Sequence, residues 1–64
     1  MEEYQQRVVT EKDDLKIKID NLLRFLDSEI FLKMEDVEKT RLREQKKVME
    51  KYHGILVDRI NGFH

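Results

Sequence analysis

The 64-residue chain has no cysteine, no proline and no tryptophan, and its only glycines are Gly54 and Gly62. Without cysteine it has neither disulfides nor thiolate metal sites. Its two histidines, His53 and His64, are eleven positions apart and lack the spacing of paired metal ligands. With so little glycine and no proline, nothing in the chain resembles a linker or a low-complexity tract. The sequence therefore predicts a single domain that holds no metal and no cofactor.

The chain also lacks an excess of charge of one sign. It has 13 basic and 14 acidic residues, and its formal net charge is −1. Such a balance gives no overall field that would attract a DNA or RNA polymer or an anionic membrane. No stretch approaches the roughly 18 apolar residues of a membrane span, and the acidic start, Met1-Glu2-Glu3, is unlike a signal or transit peptide. We expect a soluble, intracellular protein that contacts neither nucleic-acid polymers nor membranes.

What the sequence does contain is helical periodicity in two long segments. Residues 3–27 carry apolar side chains at spacings of 7, 4, 3 and 4, and residues 36–61 carry apolar side chains every seven positions. These spacings place the apolar residues on one face of each helix. The first stripe comprises Val8, Leu15, Ile19, Leu22 and Leu26, and the second comprises Leu42, Met49, Leu56 and the following Phe63.

Residues 28–35 interrupt the periodicity and form a short elbow. Ser28, preceded by Asp27, is a suitable N-cap for a helical turn, and Glu35-Asp36 gives the second long helix an acidic start. Asn61-Gly62 marks its end. The sequence thus predicts an all-α hairpin of long helix, short elbow and long helix. Because the connection is short, the two long helices run antiparallel.

A chain of this length cannot enclose a large core alone, and small folds usually depend on disulfides, a metal or oligomerisation. Here only oligomerisation remains. Apolar side chains also exceed what one hairpin seam can bury, and leaving them exposed would create an aggregation-prone patch. We therefore predict a homo-oligomeric helical bundle. The surplus residues are Leu23, Phe25, Ile30, Phe31, Val48, Ile55 and Phe63.

Some positions expected on the packing face carry polar side chains. Lys12 occupies one in the first helix, and in the second helix the positions hold Gln45, Tyr52 and Arg59, of which two are strongly polar. A long cation on such a face costs stability unless it is paired or reaches water. For Lys12 we favour a packed stem with the ammonium group in water or beside an acid. For Arg59 two interpretations stay open. It either reaches water in the same way or points into a cavity of the assembly, where its guanidinium fork binds an anion.

The chain contains no Ser-His-Asp set, no paired-carboxylate site and no glycine-rich phosphate loop. The basic residues around Arg41 to Lys47 are interspersed with acids, which is typical of a solvated helix face. The sequence therefore gives no basis for catalysis, and we expect a protein that is not an enzyme.

Four ordered groups of residues resemble the phage anti-CBASS cyclic-oligonucleotide sponges, and together they cover nearly the whole chain. The groups are Gln6-Arg7-Val8-Val9 with Glu11-Lys12, Leu15 and Lys18-Ile19; Phe25-x-x-Ser28-x-x-Phe31; Gln45-x-x-Val48-Met49-x-x-Tyr52; and Leu56-x-x-Arg59-Ile60-x-x-Phe63. The resemblance implies a homohexamer of helical protomers in the cytoplasm of an infected bacterial host. Such proteins sequester cyclic di- and trinucleotide messengers, such as cyclic GMP–AMP, without cleaving them. The downstream antiviral effector then stays inactive.

The resemblance also implies roles for individual residues. Lys18 matches a lysine that contacts the phosphates of cyclic dinucleotides, and Tyr4 is the nearest match to a tyrosine that stacks on a base. Arg7 lies one turn beyond Tyr4 and would assist. Arg59 matches an arginine at a separate, central site for cyclic trinucleotides. Asp20 departs from the pattern, since a small hydroxyl residue would suit a phosphate site better, and this favours dinucleotides over trinucleotides.

A second hypothesis requires no nucleotide. A small oligomeric helical protein of this composition could instead serve as an adaptor or structural protein that docks a protein partner through Phe25, Phe31 and Phe63.

Overall fold

The computed structural model describes residues 1–63, so that His64 and the prediction made for it lie outside the described part. Two long helices, α1 (Glu3–Leu26) and α3 (Asp36–Asn61), flank a single helical turn, α2 (Glu29–Leu32). The described residues contain no strand. The expected all-α order of long helix, short elbow and long helix is therefore confirmed.

The ends of the helices follow from local side-chain and backbone hydrogen bonds. At the start of α1, the Glu2 backbone N–H donates to Oε1 of Gln5 at 2.9 Å, which satisfies a donor that the helix itself leaves free. At the end of α3, the Gly62 N–H donates to the carbonyls of Asp58 and Arg59, both at 3.1 Å. Gly62 has φ of −85°, so the helix ends in an ordinary right-handed turn.

Ser28 joins α1 to α2 through one hydroxyl group. Its Oγ donates to the Phe25 carbonyl at 2.6 Å and accepts from the Phe31 N–H at 3.2 Å. The predicted N-cap is thus present, and the same hydroxyl also satisfies a carbonyl at the end of α1. This double contact fixes the direction in which the chain leaves the first helix.

Ser28→Ala removes both hydrogen bonds and leaves the half-buried Phe25 carbonyl and Phe31 N–H without this partner. We expect a loss of about 1 kcal/mol in the free energy of unfolding, the usual value for an N-cap. Chemical denaturation followed by circular dichroism measures it. Thr40→Ala is a matched control, because the Thr40 hydroxyl donates only to the Asp36 carbonyl within α3 and is exposed. Equal losses in the two variants would contradict a special role for the elbow.

The long helices pack side by side and antiparallel. The Tyr4 ring near the start of α1 meets the Phe63 ring beyond the end of α3, with 6.0 Å between centroids and an interplanar angle of 76°. The molecule is accordingly a rod of 47 × 15 × 13 Å. Its core lies in the seam between α1 and α3 and is centred on Leu56, which is 0% exposed. The core comprises Val8, Leu15, Ile19 and Leu56, with Met49, Ile60 and Phe63 packed against it.

The burial pattern confirms the first predicted stripe, since Val8, Leu15, Ile19 and Leu22 are buried and Leu26 is half-buried. The second stripe is weaker. Only Leu56 of α3 is buried, and polar residues interrupt the apolar ones along this helix.

One of the surplus apolar residues does not need a partner. Phe31 is 3% exposed because the elbow folds it against the Phe25 ring, at 6.3 Å between centroids. The Arg43 guanidinium and the Lys39 ammonium of α3 lie 5.3 and 5.8 Å from the centre of the same ring. The expectation that Phe31 is left for another molecule is therefore wrong, because these cation–π contacts and the aromatic edge occupy its surface.

Other large apolar residues do remain exposed on the protomer. The most exposed aliphatic side chains within the helices and elbow are those of Ile17, Ile30, Leu32, Val37 and Val48, with 58–67% of their surface accessible. These residues leave apolar surface accessible on the protomer. Neither long helix contains a run that is apolar enough to span a bilayer in the described part of the chain.

The polar residues of the packing faces avoid the core. Lys12 is half-buried and its ammonium lies 3.1 Å from a carboxylate oxygen of Asp13, as the packed-stem interpretation predicts. Gln45, Tyr52 and Arg59 are exposed. The core at the centre of the seam is formed by Leu56 with apolar residues, and these three positions lie outside it.

Candidate ligand-binding groove

An open groove of about 530 Å³ runs along one side of α1 and is closed on its far side by Tyr52 of α3. Its volume lies in the range of about 300–1,000 Å³ that is typical of small-molecule sites. The α1 residues that line it include Arg7, Glu11, Asp14 and Lys18, spaced 4, 3 and 4 positions apart. This spacing keeps them on one face of a helix. The groove therefore follows from the helical periodicity of α1 together with its antiparallel pairing to α3.

Arg7 and Lys18, the two cations expected at the cyclic dinucleotide site, both line this groove. They differ in their present partners. The Arg7 guanidinium donates to the Glu3 carboxylate, and both side chains are largely exposed. Lys18 makes no ion pair within residues 1–63. An exposed ion pair such as that of Arg7 and Glu3 is weak, so Arg7 can leave Glu3 to bind an anion of a ligand. Lys18 has no such pair to break.

Three acids, Glu3, Glu11 and Asp14, line the groove beside the two cations. The lining therefore carries a formal charge of −1. Glu11 and Asp14 form no ion pair among the residues that the structure describes. An anion that entered this groove alone would meet as many unpaired carboxylates as attractive groups.

Tyr52 gives the groove an aromatic wall and Leu15 contributes apolar surface to its lining. Tyr52 is 41% exposed, so part of its ring is free to contact a planar group. In the sequence, Tyr52 is a packing-face residue and the last residue of one group that carries the resemblance, but no role in a site is predicted for it. The signal that could have found it is this position: an aromatic residue at the edge of a seam, opposite a stripe of charges on the facing helix.

Tyr4 and Arg59 lie outside the groove. Tyr4 is 59% exposed and packs its edge on Phe63 at the open end of the hairpin. Arg59 is exposed in the last turn of α3, where a positive charge interacts favourably with the helix dipole. Within one protomer, Arg7 and Lys18 thus line the same groove, whereas Tyr4 and Arg59 do not line it.

The described residues contain no group of three or more metal-ligating side chains that could hold an ion. The groove combines one unpaired ammonium, one exchangeable guanidinium, an aromatic face and two free carboxylates. Such a set can bind a phosphate, stack a planar base and accept hydrogen bonds from the edge of that base.

Comparison with known proteins gives one positive result. The sequence model of the Sequestin family matches residues 2–62, which is nearly the whole chain, and the chain therefore belongs to the Sequestin family. No curated protein and no solved structure matches it.

Proposed function

We propose that this member of the Sequestin family sequesters cyclic oligonucleotide messengers, principally cyclic dinucleotides, and releases them unchanged. The observation that carries the proposal is the groove on α1, which brings Arg7 and Lys18 to one side and Tyr52 to the other. A cyclic dinucleotide carries two phosphates and two bases, and the groove offers cations for the former and an aromatic face for the latter. The family name is compatible with a sequestering role.

In this proposal the bound messenger is not cleaved, and the protein is not an enzyme. A sequestering protein lowers the free concentration of its ligand in proportion to its own amount. It needs slow release but no turnover. In an infected bacterium, such a protein in the cytoplasm would keep antiviral signalling by cyclic nucleotides inactive.

The charges of the groove support assembly as part of this function. Two phosphates bring two negative charges to a lining that already carries a formal charge of −1. A second copy can supply the missing cations, because α3 carries seven basic and five acidic residues. The exposed apolar residues of α1, α2 and α3 give such copies a surface to bury. We propose a homohexamer whose interfaces complete the sites, with no cofactor and no nucleic-acid polymer.

Native mass spectrometry with and without cyclic GMP–AMP tests this proposal, because it reports subunit number and bound ligand together. We expect one dominant oligomer, and mass additions that correspond to intact cyclic dinucleotide. Titration calorimetry gives the affinity. Absence of binding to every cyclic di- and trinucleotide at micromolar protein would refute the proposed function. Mass additions that correspond to linear products would instead show hydrolysis.

Tyr52→Ala removes the aromatic wall of the groove and should weaken cyclic dinucleotide binding by about fivefold to a hundredfold. The reason is that stacking on an aromatic side chain contributes about 1–3 kcal/mol per base. Tyr52→Phe keeps the ring and should retain most of the affinity. Calorimetry with cyclic GMP–AMP measures both.

Tyr4→Ala provides the comparison that locates the stacking residue. If Tyr52 alone stacks the base, Tyr4→Ala leaves the affinity unchanged. If Tyr4 from a neighbouring copy reaches the groove, Tyr4→Ala weakens binding as well. An affinity that is unaffected by Tyr52→Ala would show that Tyr52 does not contact the ligand.

The structure weakens the case for an adaptor that docks a protein through three phenylalanines. Phe31 is buried within the protomer, and Phe25 and Phe63 are half-buried against other aromatic rings. These three side chains do not form a free docking surface. For this reason, we prefer the groove as the functional site.

A further inference from the structure

The groove contains two carboxylates that phosphate binding alone does not explain. Glu11 and Asp14 lie between Arg7 and Lys18 on the exposed face of α1, and each repels an anion. Glu3 differs from them, because it already pairs with Arg7. A groove that served only to bind phosphates would be better without Glu11 and Asp14. We therefore look for their role in recognising the base of the ligand rather than its phosphates. This inference rests on the proposed function.

The spacing along α1 distinguishes the two acids. Asp14 lies one turn before Lys18, so it is the acid nearer to a phosphate held by that cation. Glu11 lies seven residues before Lys18, which places their backbones about 10 Å apart along the helix at about 1.5 Å per residue. A nucleotide that is held by its phosphate at Lys18 extends its base away from that point. Glu11 is the acid that the far edge of the base can meet.

The chemistry of a carboxylate then determines which base fits. An ionised carboxylate only accepts hydrogen bonds, and its two oxygens accept from two parallel donors. The Watson–Crick edge of guanine presents such a pair, the N1–H and the 2-amino group. Adenine presents its 6-amino group and an unprotonated N1, whose lone pair would face the second carboxylate oxygen.

We propose that Glu11 selects guanine in this groove by accepting hydrogen bonds from N1–H and the 2-amino group, while Tyr52 stacks on the base and Lys18 binds the phosphate. The preferred ligands are cyclic dinucleotides that contain at least one guanine. A carboxylate finds two donors on guanine but one donor and one lone pair on adenine, so the two bases are expected to bind with different affinities.

Titration calorimetry with cyclic di-GMP and cyclic di-AMP tests the inference through the ratio of the two affinities. The native chain should bind cyclic di-GMP about tenfold or more tightly, the discrimination expected of a bidentate pair. Glu11→Gln keeps the size of the side chain but replaces one acceptor by a donor. It should bring the ratio close to one, and cyclic di-AMP should bind more tightly than before because a negative charge is gone.

Asp14→Asn is the matched control. It removes the same charge from the same groove, so it should tighten both ligands by a similar factor and leave the ratio unchanged. Equal affinities in the native chain, or a guanine preference that survives Glu11→Gln, would overturn the assignment while leaving the proposed function intact. Absence of binding to both ligands would overturn the assignment, and the proposed function would fall with it only if cyclic GMP–AMP and the cyclic trinucleotides also failed to bind.

Discussion

Replacing Lys18 by alanine is expected to weaken cyclic dinucleotide binding by about tenfold to a hundredfold. A hydrogen bond to a charged group contributes about 1.5–3 kcal/mol, and about 1.4 kcal/mol corresponds to a tenfold change. Lys18 is the cation of the groove that has no ion-pair partner within residues 1–63, so its loss is not offset by a carboxylate that becomes free. The remaining cation, Arg7, is shared with Glu3.

The oligomer should survive Lys18→Ala unchanged. Lys18 is exposed, and its stem adds little to the seam between α1 and α3. Calorimetry gives the affinity, and native mass spectrometry of the same sample gives the subunit number. If the variant loses its oligomeric state together with its ligand, then Lys18 holds the assembly rather than the phosphate.

Lys16→Ala is the appropriate control for charge. Lys16 lies on the same helix two residues earlier, but its ammonium is 3.2 Å from a carboxylate oxygen of Asp20 and it does not line the groove. Both variants lose one positive charge, so a purely long-range effect would weaken binding equally in both. We expect only Lys18→Ala to show the large change. Equal losses would mean that net charge, and not contact, governs affinity.

The dependence of the affinity on salt concentration gives a further test of the contact between Lys18 and a phosphate. A phosphate contact at Lys18 within a half-open groove is partly screened, and the affinity of the native chain should fall as ionic strength rises. The variant that lacks Lys18 should show a smaller dependence.

The sequence predicted the helices because their periodicity is local information. Val8, Leu15, Ile19 and Leu22 recur on one face of α1 and are buried as expected. Ser28 has the short hydroxyl side chain that an N-cap requires, and it caps α2. Both features depend on neighbours within a few positions, so a single sequence is enough to predict them.

The burial of Phe31 could not be predicted in the same way. Its ring is covered by Phe25 from α1 and by Arg43 and Lys39 from α3. These contacts depend on the angle at which the elbow brings α3 back. An apolar stripe indicates that a residue is buried but not what covers it, and Phe31 therefore resembled surplus apolar surface.

The candidate site was predicted in part for a related reason. Arg7 and Lys18 lie on one helix, and their common face follows from spacing alone. Tyr52 joins them only because the antiparallel register of α1 and α3 brings it opposite that face. The register is set by the whole seam, from the Tyr4–Phe63 contact at the open end to the Phe31 cluster at the elbow. No short motif encodes it.

Leu56→Ala is expected to have the largest effect on stability, about 2–5 kcal/mol in the free energy of unfolding. Leu56 is 0% exposed and lies at the centre of the core with Val8, Leu15 and Ile19. Truncation removes buried methyl groups and leaves a cavity that a rigid helix pair closes only in part. A single core in a chain this small rarely supplies more than about 3–5 kcal/mol, so the variant should be largely unfolded as an isolated protomer.

Ile55→Ala is the matched control, since it makes a comparable truncation at the neighbouring position, where the side chain is 47% exposed. Denaturation followed by circular dichroism at low and high protein concentration separates the two roles. Leu56→Ala should lower stability at both concentrations, because it removes contacts within the protomer. Ile55→Ala should cost little at low concentration and more at high concentration if copies of the chain bury it. Similar losses in the two variants at low concentration would show that Leu56 is not the centre of the protomer core.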